Sequence, residues 1–115
     1  MRALVADPPR QFVEIDIPRG LGALQTVVRG GIEVVYLGRD DIGLVINEES
    51  LLNGSMPNRE ANRLFRRVIG YGNLLCGPVM IVGQDGDEFT DVPSAVAEMV
   101  RLGSADAFAR SVRPG

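Results

Sequence analysis

Four arginines, Arg59, Arg63, Arg66 and Arg67, share an arc about 100° wide if their segment is helical, with Ala61, Leu64, Phe65 and Val68 clustered on the other side. Each guanidinium is a planar fork suited to carboxylate or phosphate. Such forks repel one another, and only Glu60 lies nearby on the same segment, so something acidic must face them. Three sources are open: an external anion, the chain's own acids, or a second subunit. A second cluster, Asn47-Glu48-Glu49, follows the apolar run Ile42–Ile46, where acceptors and an amide at a strand end would suit a hydroxyl-rich ligand. The alternative is that Asn47 closes a turn and the glutamates are solvated. Asn58 has the same two readings, as a ligand contact or as the N-cap of the arginine helix. The candidate ligand-binding set is therefore Asn47, Glu48, Glu49, Asn58, Arg59, Arg63 and Arg66, in a region we expect to lie at strand ends and helix starts.

Composition removes whole classes of chemistry. The chain has no His, which excludes Ser-His-Asp and Cys-His catalysis, and its one cysteine, Cys76, excludes an intramolecular disulfide, a thiolate zinc cluster and a Cys-x-x-Cys pair. Cys76 lies in Leu74-Leu75-Cys76-Gly77-Pro78-Val79 and reads as a buried structural thiol. Asp85-Gly86-Asp87 lacks the remaining ligands of a calcium loop, and Gly70-Tyr71-Gly72 lacks the rest of a phosphate-loop fingerprint. No cofactor and no metal are expected. All twelve cations are Arg, yet the net charge is −3, which argues against broad nucleic-acid binding while leaving a local arginine patch open. No apolar run approaches the ~20 residues that cross a bilayer, and Met1–Pro8 lacks a signal-peptide core, so we expect a cytoplasmic protein without membrane contact.

The elements that must position these residues fit one domain spanning residues 1–115. Residues 2–6 read as an edge strand, and Phe12–Ile17 alternates with one wet face. A short helix over Leu21–Arg29 places Leu21, Leu24 and Val28 on one stripe and stops at Gly30-Gly31. Ile32–Leu37 and Ile42–Ile46 form an antiparallel hairpin around Gly38–Asp41, and the second helix runs from about Asn58 to Val68. After the break Gly70-Tyr71-Gly72-Asn73, the apolar run Leu74–Val82 is the most central strand, with Glu88-Phe89-Thr90 returning beside it. Asp91 caps a third helix, with Pro93 in its first turn and Gly103 at its end. Residues 104–115 are a helical turn and a frayed tail. The predicted fold is α+β, a single small domain with a mainly antiparallel sheet and three short helices.

Several short motifs in order, Leu24-Gln25, Gly30-Gly31-Ile32-Glu33, Asn47-Glu48-Glu49, Pro57-Asn58 with Ala61, Gly77-Pro78-Val79 and Phe89-Thr90-Asp91, resemble the family called domain of unknown function 3846. The similarity covers roughly residues 12–102. It brings no established activity; such proteins are met in bacteriophages, plasmids and their hosts, and the resemblance implies an accessory protein of phage or mobile-element type.

The functional expectation is a non-enzymatic accessory protein that binds a small anionic, nucleotide-like ligand, with sequestration of a host defence signal as a use for such capture. The alternative is a protein-binding module that inhibits or redirects a host protein through an acidic surface or a sheet edge. A carboxylate-dependent hydrolase ranks third, since no second metal-ligand cluster accompanies Glu48-Glu49. A homodimer is expected because a two-fold axis deepens the shallow pockets of a small domain. Phe108 among alanines is an apolar handle that docks either on a neighbour or on its own domain.

Overall fold

Alternation along the strands decides the architecture. The computed structural model describes residues 1–70 and 74–112. Its strands are β1 (Arg2–Ala6), β2 (Val13–Asp16), β3 (Ile32–Val35), β4 (Ile42–Asn47), β5 (Val79–Asp85) and β6 (Glu88–Thr90). Its helices are α1 (Leu21–Val28), α2 (Arg59–Ile69), α3 (Ser94–Leu102) and α4 (Ala105–Val112). The strands form one antiparallel sheet in the order β2-β1-β5-β4-β3, with β6 paired to the far end of β5.

In β4, Ile42, Leu44 and Ile46 point to one face and Val45 to the other; β5 repeats this with Val79 and Ile81 against Met80 and Val82. Both strands are thus buried on two sides, as their near-continuous apolar runs require. One face carries α2, α3 and α4 around Phe65, whose ring meets Phe12 and Phe108 edge-on at 5.9 and 4.9 Å. The other carries α1 through Leu24 and Val28.

The antiparallel α+β sheet, its central β5, the β3–β4 hairpin and the buried Cys76 agree with the sequence reading. Other expectations are corrected. The described residues form four helices, not three, because burial of Phe108, Ala109 and Val112 turns the expected tail into α4. Phe108 is fully buried, so it docks on its own domain and offers no handle to a neighbour. β1 is internal, lying between β2 and β5, because its edge is taken by a strand more than seventy residues away. The strand in this region is Val79–Asp85, which starts later than the apolar run Leu74–Val82 and continues past it through Gly83. A side chain there would collide with the Asp91 carbonyl oxygen, 2.0 Å from the added Cβ, so only glycine lets the chain leaving β6 pass so close.

Two helix ends also differ from expectation. Asp91 does not cap α3; its Oδ1 instead accepts from the Arg2 backbone N–H at 2.8 Å, and Pro93 takes the N-cap position. That bond holds the Asp91 carboxyl below its ordinary range. At α1 the left-handed residue is Arg29, φ 63°, one position before the glycines. The expected break after α2 begins at Gly70, its C-cap; Tyr71–Asn73 lie outside the described residues, as do Arg113–Gly115 of the expected tail.

Candidate functional site

The phase of α2 decides where the arginines point, and a buried asparagine sets it. Asn58 Oδ1 accepts from the Ala61 N–H at 3.0 Å, which is the N-cap bond. Its Nδ2 donates to the carbonyls of Ala6 and Gly77, each at 2.9 Å, tying the helix start to β1 and to the approach of β5. One turn on, Asn62 Nδ2 donates to the Leu75 carbonyl and its Oδ1 accepts from the Leu75 N–H, both at 2.9 Å. With the first turn fixed this way, Ala61, Leu64 and Phe65 enter the core and the arginines are held outward.

They line a groove of about 420 Å³. Arg59, Arg63, Arg66 and Arg67 form its cationic wall, Asn62 adds an amide, and Pro57 and Leu74 supply apolar surface; among the described residues no carboxylate lines it. The acids lie to the side. Arg63 pairs with Glu60 at 2.8 Å and donates to the Gly103 carbonyl at 2.7 Å, while Arg67 pairs with Asp106 of α4. The chain's own acids therefore neutralise part of the stripe. Arg59 is exposed and has no ionic partner among the described residues. The helices α2, α3 and α4 together hold six of the twelve arginines but three of the fifteen acids, so this layer is cationic within an anionic chain.

The other half of the expected site lies across the sheet. Asn47 is buried on the α1 face, where its Nδ2 donates to the Val28 and Arg29 carbonyls at 3.0 and 3.2 Å and its Oδ1 accepts from the Glu49 N–H at 2.8 Å. It closes the end of α1 and the turn leaving β4. The two glycines make room for this unit. A Cβ on Gly30 would stand 2.7 Å from Asn47 Nδ2, and one on Gly31 would stand 2.3 Å from Glu48 Oε1. The Glu48 backbone N–H also donates to the Gly31 carbonyl at 2.9 Å. Gly30-Gly31 and Asn47-Glu48 thus form one packed corner, with the Glu48 and Glu49 side chains exposed at its rim.

The structure therefore brings Arg59, Arg63 and Arg66 together and sets Asn58 beneath them as their support. It does not bring Asn47, Glu48 and Glu49 to the groove, because β4 sends Asn47 to the opposite face. Sequence reasoning left Arg67, Asn62, Pro57 and Leu74 out of the set. Arg67 shares the arginine arc and Asn62 follows Asn58 by one turn, so both had a periodic signal; Leu74 comes from a separate segment and had none. Among the described residues no group of three or more Cys, Asp or Glu could hold a metal ion, and no helix is long and apolar enough to cross a membrane.

The family model described as Domain of unknown function (DUF3846) matches residues 1–103, and the chain belongs to that family. The match takes in β1, which the resemblance over residues 12–102 had left out, and ends before α4. No curated protein and no solved structure matches the chain.

Proposed function

We propose that this member of the DUF3846 family is a non-enzymatic binding protein that captures a small anionic, nucleotide-like ligand in the groove along α2. The observation that carries this reading is the groove's lining: four guanidinium groups from one helix and, among the described residues, no carboxylate, in a chain of net charge −3. Phosphate oxygens would accept from Arg59 and compete with Glu60 for Arg63, with Arg66 and Arg67 adding positive charge along the same wall, while Leu74 and Pro57 offer a dry surface to the ligand's apolar part. Asn58 and Asn62 hold the helix and are positioning residues.

Thermal shifts with nucleotides, cyclic nucleotides and ADP-ribose derivatives test the proposal, since a ligand at 100 times its Kd adds about 2.7 kcal/mol of stability. Phosphorylated compounds should stabilise the protein and the matching nucleosides should not. The shift should vanish in Arg59→Ala/Arg66→Ala. An unchanged shift in that variant, or none across the panel, would overturn it.

A second reading rests on the loop before α2, where Leu51, Leu52 and Met56 are exposed, Leu52 by 89%. Apolar side chains so placed favour a protein partner that buries them. A stoichiometric partner lost with Leu52→Asp but retained with Arg59→Ala/Arg66→Ala would select this reading over the first.

A further inference from the structure

On the same face of the sheet, a second cavity of about 420 Å³ opens between the β1–β2 strands and α3. Its size equals that of the arginine groove, but its chemistry does not. Leu4, which is buried, Phe12 and Ala97 make part of the lining apolar. The strand wall carries Arg2 and Glu14; the helix wall carries Glu98 and Arg101, with the Ser94 hydroxyl beside them. Each wall thus presents one cation and one anion. Arg2 and Glu14 stand 3.8 Å apart, too far for a hydrogen bond, and both side chains are half exposed. Arg101 pairs with Glu98 on its own helix. The Arg2 backbone N–H donates to Asp91 Oδ1 at 2.8 Å, which ties β1 to the segment leading into α3.

This charge pattern selects the ligand. A simple anion entering the cavity would meet two carboxylates, and a simple cation would meet two guanidinium groups. A molecule with both charges close together finds a partner for each, and the apolar lining gives its remaining atoms a place out of water. We propose that this cavity is a binding site for a zwitterion with an apolar side chain, an α-amino acid of the leucine type, its carboxylate toward Arg2 and Ser94 and its ammonium toward Glu98. The site is separate from the α2 groove and does not depend on the function assigned there.

Calorimetric titration of the full chain tests this with three probes that share one carbon skeleton: L-leucine, 4-methylpentanoate and 3-methylbutylamine. Leucine should bind, and loss of either charge should weaken binding by about tenfold or more, the effect of one charge-assisted contact. Arg2→Ala and Glu98→Gln should each weaken leucine binding to a similar degree. Both positions are solvent-facing, so the fold is expected to survive and a native circular dichroism spectrum checks that. Arg59→Ala should leave leucine binding unchanged. Leucine failing to bind at millimolar concentration, all three probes binding alike, or Glu98→Gln binding leucine as well as the parent chain would each overturn the assignment.

Discussion

Asn58 and Asn47 are buried asparagines that each fasten a helix end to the sheet, one on each face, yet only one of them lies beneath a charged groove. Asn58 binds the start of α2 to two separate strand regions and sets the direction of four arginines. Asn47 receives the end of α1 and turns the chain out of β4, leaving only Glu48 and Glu49 at the surface. The difference lies in what each anchor aims. An amide whose donors and acceptor are all used inside the protein has little left for a ligand, so the chemistry must be sought on the element it positions.

The sharpest way to test this contrast is to remove each anchor. Asn58→Ala deletes the N-cap and leaves the Ala6 and Gly77 carbonyls without a buried donor, a loss of about 3–5 kcal/mol. Asn47→Ala exposes the Val28 and Arg29 carbonyls at a helix end nearer to solvent and should cost about 2 kcal/mol. Urea unfolding of the two variants checks the order. Equal losses would show that the two anchors carry the same weight and would remove the contrast.

The sequence made part of this visible. Asn58 reads as an N-cap because it precedes an amphipathic run, and the arginine arc follows from spacing alone. Its bonds to Ala6 and Gly77 span 52 and 19 positions, which no local pattern encodes. The second cavity was hidden for the same reason: Arg2 and Glu14 come from β1 and β2 and Glu98 and Arg101 from α3, about eighty positions further along the chain. The α4 segment was read as a tail because an eight-residue helix is marginal by itself; burial of Phe108 against Phe65 stabilises it. Asp91 had the right type for a cap, but its carboxylate accepts from the Arg2 N–H instead.

A smaller effect separates the groove's own ion pairs from its structural anchor. Arg67 and Asp106 join α2 to α4 with both side chains more than half exposed, so a double-mutant cycle with Arg67→Ala and Asp106→Ala should give a coupling of only about 0.5 kcal/mol. If an anion competes for the groove, Asp106→Asn should tighten its binding, because the protein's own carboxylate no longer occupies Arg67. Weaker binding in Asp106→Asn would mean that the pair orients Arg67 for the ligand.

The smallest effect belongs to the α1 end and depends on pH. Arg29, the left-handed residue after α1, donates through two guanidinium nitrogens to Asp7, both at 3.1 Å. The hydrogen bonds from Arg29 hold the Asp7 carboxyl below its ordinary value of 3.8. A carboxyl with a lowered folded-state pKa stabilises the protein above the unfolded value, and that contribution disappears as pH falls through the folded one. Asp7→Asn should therefore cost stability at pH 7, by less than about 1 kcal/mol because the pair is solvent-exposed, and should match the parent chain once Asp7 is protonated. Arg29→Gly breaks the same pair but relieves the positive φ of 63°, so at pH 7 it should lie closer to the parent than Asp7→Asn does. Urea midpoints of the three chains at pH 7 and in acid decide the point. A loss in Asp7→Asn that persists unchanged into acid would show that the variant acts through packing, and the α1 end would then rest on Asn47 without help from charge.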